Sequence, residues 1–222
     1  MAKRDIVVVG ASAGGVEAVR ELVHSLPDGL DGAIFITIHF PLHGTSMLPR
    51  ILERAGHLPV AHPTDGEPIA AGRIYVAPPD AHLLLEGRRI RLARCRQQDD
   101  RGPAIDAMFR SAALAFGARV VGVVLTGSLD DGTSGLAAIK RRGGLALVQD
   151  PNDALFPSMP HSAIDHVGID RVVPISDMWP ALESLMNTPI ERRAFAFMPD
   201  DGTDNAPLGV GWTRPRVEPL PR

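Results

Sequence analysis

The 222 residues carry 45% hydrophobic and 22% charged side chains, ordinary globular usage that excludes a disordered or fibrous chain and leaves room for one α/β domain with a substantial core. A formal charge of −3 and eight scattered histidines provide no concentrated basic field, which excludes nucleic acid as an expected partner. No stretch approaches the roughly 20 apolar residues that cross a bilayer, and the run Ile6 to Val9 is too short for a signal-peptide core, so a cytoplasmic protein without membrane insertion is expected.

The first predicted element is a strand at 5–9, DIVVV, a continuous apolar run of the kind covered on both faces. Val16, Val19, Leu22 and Val23 then recur at helical spacing, and AIFITI at 33–38 reads as a second buried strand, completing one β-α-β unit. Residues 45–55 read as a helix. Pro59, Pro63, Pro68, Pro78 and Pro79 punctuate the next region, where RIYVAP, HLLLE and RIRLA read as short strands, the last two turning at Gly87; an antiparallel insertion is expected there. Alternation resumes with a helix at 104–117, a strand at 119–126, a helix at 133–142, a strand at 144–149, a helix at 158–167, a strand at 171–174 and a helix at 177–186. The pattern predicts an α/β fold, a doubly wound, mostly parallel sheet with a small antiparallel hairpin insertion. Residues 1–186 are expected to form the domain, and 187–222, interrupted by six prolines, a Pro-rich C-terminal tail, extended or disordered in isolation.

Three loops carry residues suited to chemistry. Gly10-Ala11-Ser12-Ala13-Gly14-Gly15 follows the first strand and precedes the first helix, and it fits G-x-S-x-G, in which glycines allow a tight turn that lifts a serine hydroxyl above the sheet edge. The alternative is a glycine-rich turn that binds phosphate or merely reverses the chain; neither G-x-G-x-x-G nor a G-K-[ST] ending is present, which disfavours a Rossmann fingerprint and a P-loop. His39 ends the second strand. A strand-end histidine is more often structural, but the carboxyl ends of neighbouring parallel strands open into one crevice, where His39 and Ser12 can meet. Asp130 and Asp131 follow the strand at 119–126. One of them is expected to cap the helix that begins near Gly132, which leaves the other to orient an imidazole. The chain order Ser, His, Asp differs from the Ser, acid, His order of α/β-hydrolases. Cys95 is the only cysteine, so an intrachain disulfide and a cysteine-built zinc site are ruled out, and Cys95 itself reads as structural.

The stretches VVVGASAGGVEAV, ITIHFPLHGTSMLP, GRIYVAPPDAHLLL, PAIDAMFRSAA, VVGVVLTGSLDDGTSGL and GLALVQDPNDALFPSMPHSAI, in this order from about Ile6 to Ile175, resemble the catalytic domain of the chemotaxis protein-glutamate methylesterase family, commonly called CheB. The resemblance implies a doubly wound sheet with a small hairpin, a catalytic serine at Ser12, a histidine at His39, and an aspartate at Asp131, with Asp130 as its neighbour. It implies hydrolysis of glutamate methyl esters on the cytoplasmic helices of methyl-accepting chemoreceptors and deamidation of particular receptor glutamines, with no cofactor and no metal. Well-studied members often have threonine where Ala13 stands, Gly-Met-Gly where Gly127-Ser128-Leu129 stands, and Met-Pro-Arg where Met159-Pro160-His161 stands. The match begins at the first strand, so no receiver domain is expected within this chain, and the variant resembles the stand-alone branch of the family. The backbone amides of Ala13 and Ser128, both on crevice loops, are the candidate oxyanion donors. Met159 and Pro160 are expected at the substrate rim, or simply at the start of the helix there. Two rival readings remain at this point: a signalling module that keeps the fold without the chemistry, and a hydrolase of small esters or amides.

Overall fold

β1 (Ile6–Ala11) is buried at every position, and its alternate residues serve two cores, Val7 and Val9 on one face of the sheet and Ile6 and Val8 on the other. That two-sided burial is what a parallel strand with helices on both faces requires. The computed structural model describes residues 3–39, 46–95 and 103–190. After β1 come α1 (Gly15–Ser25), β2 (Ala33–Ile38), α2 (Leu48–Glu53), β3 (Val60–Ala61), β4 (Arg73–Val76), β5 (Ala81–Glu86) and β6 (Arg89–Arg94). The second half runs α3 (Ile105–Phe116), β7 (Val120–Val124), α4 (Thr133–Arg141), β8 (Leu145–Gln149), α5 (Ser158–His166), β9 (Arg171–Val173) and α6 (Met178–Met186).

Seven strands form one sheet in the order β3-β4-β2-β1-β7-β8-β9, every pair parallel. The chain leaves β1 towards β2 on one side and returns to β7 on the other. The order therefore reverses between β1 and β7, and the carboxyl ends of these two strands diverge into a crevice, the place where such sheets carry their sites. Helices α1, α2 and α6 pack on one face. Helices α3, α4 and α5, with the β5–β6 hairpin, cover the other.

The hairpin turns at Gly87, whose φ of +58° suits glycine. RIYV, however, is not part of an antiparallel insertion: β4 pairs in parallel with β2 and β3 inside the main sheet. Ile74, Tyr75 and Val76 are all buried, and the Tyr75 ring stacks on Phe35 of β2 with centroids 5.2 Å apart. Three consecutive buried residues need cover on both faces, which an edge hairpin does not offer. β3 is a two-residue edge strand that no local pattern marked. Residues 191–222 of the expected tail lie outside the described residues, as does Thr45 at the start of the expected 45–55 helix. Among the described residues no helix is long and apolar enough to cross a membrane.

Glycines in the β1–α3–α4 region let a helix lie against the sheet's carboxyl edge. A methyl group added at Gly10 would collide with the Ile105 side chain at the start of α3. Gly10→Ala is therefore expected to lower the unfolding free energy by about 1–3 kcal/mol through overpacking, read from the midpoint of a urea titration; an unchanged midpoint would show that Ile105 has room to move aside.

Candidate active site

Ser12 follows β1 directly and precedes a turn in which Gly14 takes a φ of +72° before α1 begins. The Ser12 N–H donates to the Thr126 carbonyl (3.0 Å) and the Gly15 N–H donates to the Ser12 carbonyl (2.9 Å). The residue is thus pinned between the ends of β1 and β7, half-buried at the carboxyl edge of the sheet. His39 follows β2, and its N–H donates to the Ala11 carbonyl (3.3 Å), one rung beyond the last pair of the β1–β2 ladder.

The imidazole of His39 lies between the other two groups. Its Nδ1 is 3.2 Å from Ser12 Oγ and its Nε2 is 2.7 Å from Asp131 Oδ2. An ionised carboxylate only accepts, so the ring proton is assigned to Nε2 and the lone pair at Nδ1 is left to face the serine hydroxyl. The side chains of His39 and Asp131 are 13% and 18% exposed, which limits screening of their interaction by salt.

Asp131 is held from a second direction. Its Oδ2 accepts the Ile105 N–H (2.8 Å) and its Oδ1 the Asp106 N–H (3.0 Å), both at the start of α3. Burial works to raise its carboxyl pKa; the hydrogen bond from His39, the His39 charge and the two backbone N–H groups outweigh burial and hold it below the ordinary 3.8. Asp130 is exposed, and its backbone carbonyl accepts the Thr133 N–H (3.1 Å). Neither acid caps the helix that follows it. The N-cap position of α4 is Gly132, with no side-chain cap of its own. Asp131 serves α3 instead, and Asp106 of α3 serves α4, accepting the Gly132 N–H at 3.0 Å. Sequence reasoning passed over Asp106; its one local signal is an acid in the first turn of a helix.

The other predicted residues divide. The Ser12 N–H and the Gly127 N–H are engaged, the latter with the Phe156 carbonyl at 2.9 Å. Among the described residues no acceptor takes the Ala13 or Ser128 N–H. A methyl added at Gly127 would stand 2.9 Å from Ser12 Cβ, so the Gly127 backbone lies close to the nucleophile. Met159 and Pro160 are buried, so they back the loop rather than rim it. The Met159 N–H donates to the Gly127 carbonyl (3.0 Å), and its sulfur fills the space a Gly127 side chain would need. The exposed apolar groups on that loop are Leu155 and Phe156. Thr126, also missed, ties the loops together. Its hydroxyl donates to the Ala13 carbonyl (3.1 Å) and accepts the Phe156 N–H (2.8 Å), while its own N–H donates to Gln149 Oε1 (2.9 Å). Among the described residues no cluster of three or more His, Cys, Asp or Glu side chains is disposed to hold a metal ion. A hydroxyl, a base and an orienting carboxylate in series, beside unengaged amides, form a constellation competent for acyl transfer.

Comparison with known proteins points the same way. A sequence model of the CheB methylesterase family matches residues 7–182. A Leptospira interrogans protein provisionally named protein-glutamate methylesterase/protein-glutamine glutaminase is 33% identical over 198 residues, covering 85% of this chain and 98% of its own length. Proteins named for the same two activities from Geobacter sulfurreducens and Bordetella bronchiseptica are 34% and 37% identical over 78% of this chain, which spans 48% and 51% of their lengths. The crystal structure of the Thermotoga maritima CheB methylesterase catalytic domain superimposes with a TM-score of 0.77 at 30% identity, covering 82% of this chain and 98% of that one.

The depressed pKa of Asp131 has a stability consequence. Its ionised form stabilises the fold fully above the ordinary carboxylate range, and that stabilisation drains away as the pH falls through the lower folded value. The excess urea unfolding free energy of the wild type over Asp131→Asn is expected to diminish as the pH is lowered through the carboxylate range, where the folded protein takes up the Asp131 proton later than the unfolded chain does. A difference that persists unchanged or grows across that acid range would contradict the hydrogen-bonded, ionised Asp131 described above.

Proposed function

The chain belongs to the CheB methylesterase family, and we propose that it is a cytoplasmic serine hydrolase that demethylates glutamate methyl esters on the helices of methyl-accepting chemoreceptors. The observation that carries this reading is the continuous hydrogen-bonded series from Ser12 Oγ through both nitrogens of His39 to Asp131.

In the reaction, His39 Nδ1 takes the Ser12 hydroxyl proton as Oγ attacks the ester carbonyl. Asp131 stabilises the imidazolium through Nε2–H and keeps the ring from turning. The tetrahedral oxyanion is stabilised by the Ala13 and Ser128 N–H groups, which no acceptor engages among the described residues. Collapse breaks the bond to the methoxy oxygen, Nδ1–H delivers its proton to that oxygen, and methanol departs from an acyl-Ser12 intermediate. A water molecule, deprotonated by Nδ1, then attacks the acyl carbon. The second collapse returns the proton to Ser12 Oγ and releases the glutamic acid, which gives its remaining proton to solvent to become the carboxylate. Deamidation of a glutamine follows the same course, with ammonia in the place of methanol.

Wild-type protein is expected to release methanol from a methylated receptor fragment, and Ser12→Ala to stop the release while leaving the urea midpoint in place. Turnover by the wild type no better than by the alanine variant would favour a binding module. Activity on a generic ester with none on receptor helices would favour a small-ester hydrolase. The two neighbouring acids separate cleanly. Asp131→Asn is expected to lower kcat by about 10⁴-fold, because the ring loses the carboxylate that holds its tautomer. Asp130→Asn is expected to remain within about fivefold of wild type, as an exposed charge contributes at most ~1 kcal/mol. The reverse ranking, measured on the same substrate, would move the acid to Asp130.

A further inference from the structure

The mechanism leaves one half-buried carboxylate beside the site unused. Asp106 lies in the first turn of α3. Its Oδ1 accepts the Gly132 N–H (3.0 Å) and the Gly135 N–H (2.7 Å), and its Oδ2 accepts the Ser134 hydroxyl. All three donors belong to the start of α4. In the opposite direction Asp131, the residue before Gly132, accepts the N–H groups of Ile105 and of Asp106 itself. The two aspartates therefore exchange caps: each satisfies N–H groups at the start of the helix next to the other.

Two glycines make the exchange possible. A methyl on Gly135 would stand 2.5 Å from Phe109 Cβ and 3.0 Å from Asp106 Oδ1, so α3 and α4 could not approach closely enough for the Asp106 carboxylate to reach the α4 backbone. Gly132 has a φ of +98°, and a methyl there would press on Ile105 Cγ2 at 2.9 Å. Neither requirement follows from helix formation alone. Each follows from bringing the start of one helix against the start of the other.

We propose that Asp106 is a positioning residue of the hydrolysis: by holding the Gly132 and Gly135 N–H groups it fixes the turn that carries Asp131, and so sets the direction from which the Asp131 carboxylate meets His39 Nε2. The inference rests on the triad reading of the preceding subsection. Both oxygens of Asp131 are tied to α3, and the peptide that follows Asp131 is tied to the same helix through Asp106. The carboxylate and its main chain thus share one frame, and neither can drift without the other. Around the pair stand His39, hydrogen-bonded to Asp131, and Arg110, 3.8 Å from Asp106 Oδ2. Burial first, and the Asp131 charge second, raise the Asp106 pKa; the Ser134 hydroxyl, the Gly135 N–H and Arg110 partly offset them.

The test compares three substitutions at residue 106, each assayed per folded molecule below its own unfolding transition. Asp106→Ala removes the acceptor, and kcat for methanol release is expected to fall about 10- to 100-fold, in line with the cost of misplacing a catalytic group by about 1 Å. KM should stay within about twofold, since Asp106 does not touch substrate. Asp106→Asn keeps an oxygen for the two N–H groups and should recover kcat to within about fivefold of wild type, since a neutral acceptor still holds the turn. Should the alanine protein fail to fold, Asp106→Glu, which moves the acceptor by one methylene, is expected to show the same loss of kcat. The rate of Ser12 labelling by a serine-reactive phosphonate should follow the same ranking. Wild-type protein that is labelled but releases no methanol defeats the proposed substrate and leaves the positioning role to the labelling rates. An alanine variant with wild-type kcat and labelling and only a lowered midpoint, or an asparagine variant as slow as alanine, overturns the positioning role. Wild-type protein inert to both reagents overturns both readings.

Discussion

The Asp131 carboxylate accepts hydrogen from His39 Nε2 and from two backbone N–H groups of α3, and most of the arrangement around the crevice follows from bringing these donors together. The imidazole comes from the end of β2, on one side of β1, while Asp131 comes from the loop after β7 on the other. The start of α3 must lie over the carboxyl end of β1, and the bare face of Gly10 beneath Ile105 gives it that place. The loop after β7 must then fold back against α3, and Gly132 and Gly135 permit it. Leu129 bears a cost in the same loop. It is the one described non-glycine residue with a positive φ, at +69°, where well-studied family members have glycine. A left-handed leucine costs roughly 1–2 kcal/mol, and such strain persists only where surrounding contacts determine the backbone. The bonds on either side of it, from Gly127 N–H to Phe156 and from Thr133 N–H to Asp130, are of that kind.

Much of this could be read in the chain, for identifiable reasons. β1 and β2 are continuous apolar runs with helical periodicity between them, and a buried parallel strand leaves that mark in its local sequence. RIYV reads as part of an insertion because four residues among prolines carry no record of their neighbour, and the parallel pairing of β4 with β2 and β3 is a property of the fold. The facts that put Tyr75 against Phe35 are 40 residues apart in the chain, and only the fold joins them. Ser12 and His39 stood out because each ends a strong strand. Asp131 was singled out from Asp130 by family resemblance alone, since in local terms both are acids before a glycine that opens a helix. The local pattern gives one of them to the start of α4, and the cap comes instead from Asp106, 26 residues before Gly132. An acid in the first turn of a helix normally serves its own helix, so nothing in the linear pattern indicates that two helices trade caps. Thr126 and Gln149 escaped for the same reason: their donors and acceptors lie on loops that only the parallel sheet brings together.

Strand order also accounts for the nitrogen that faces the serine. In the familiar protease arrangement Nε2 serves the serine and Nδ1 the aspartate; here the two are exchanged. His39 springs from β2, immediately beside β1, so the serine at the end of β1 meets the ring near its attachment point, where Nδ1 lies. The carboxylate is one strand further on, past β1, and only the outer nitrogen reaches it. An imidazole rooted on β2 and extended across β1 towards the loop after β7 must present its nitrogens in this order. The carboxylate takes the Nε2 proton, which leaves the lone pair on the nitrogen nearest Ser12. The sheet topology therefore determines the tautomer as well as the location of the site. A serine at the end of β7 with an acid after β1 would require the opposite one.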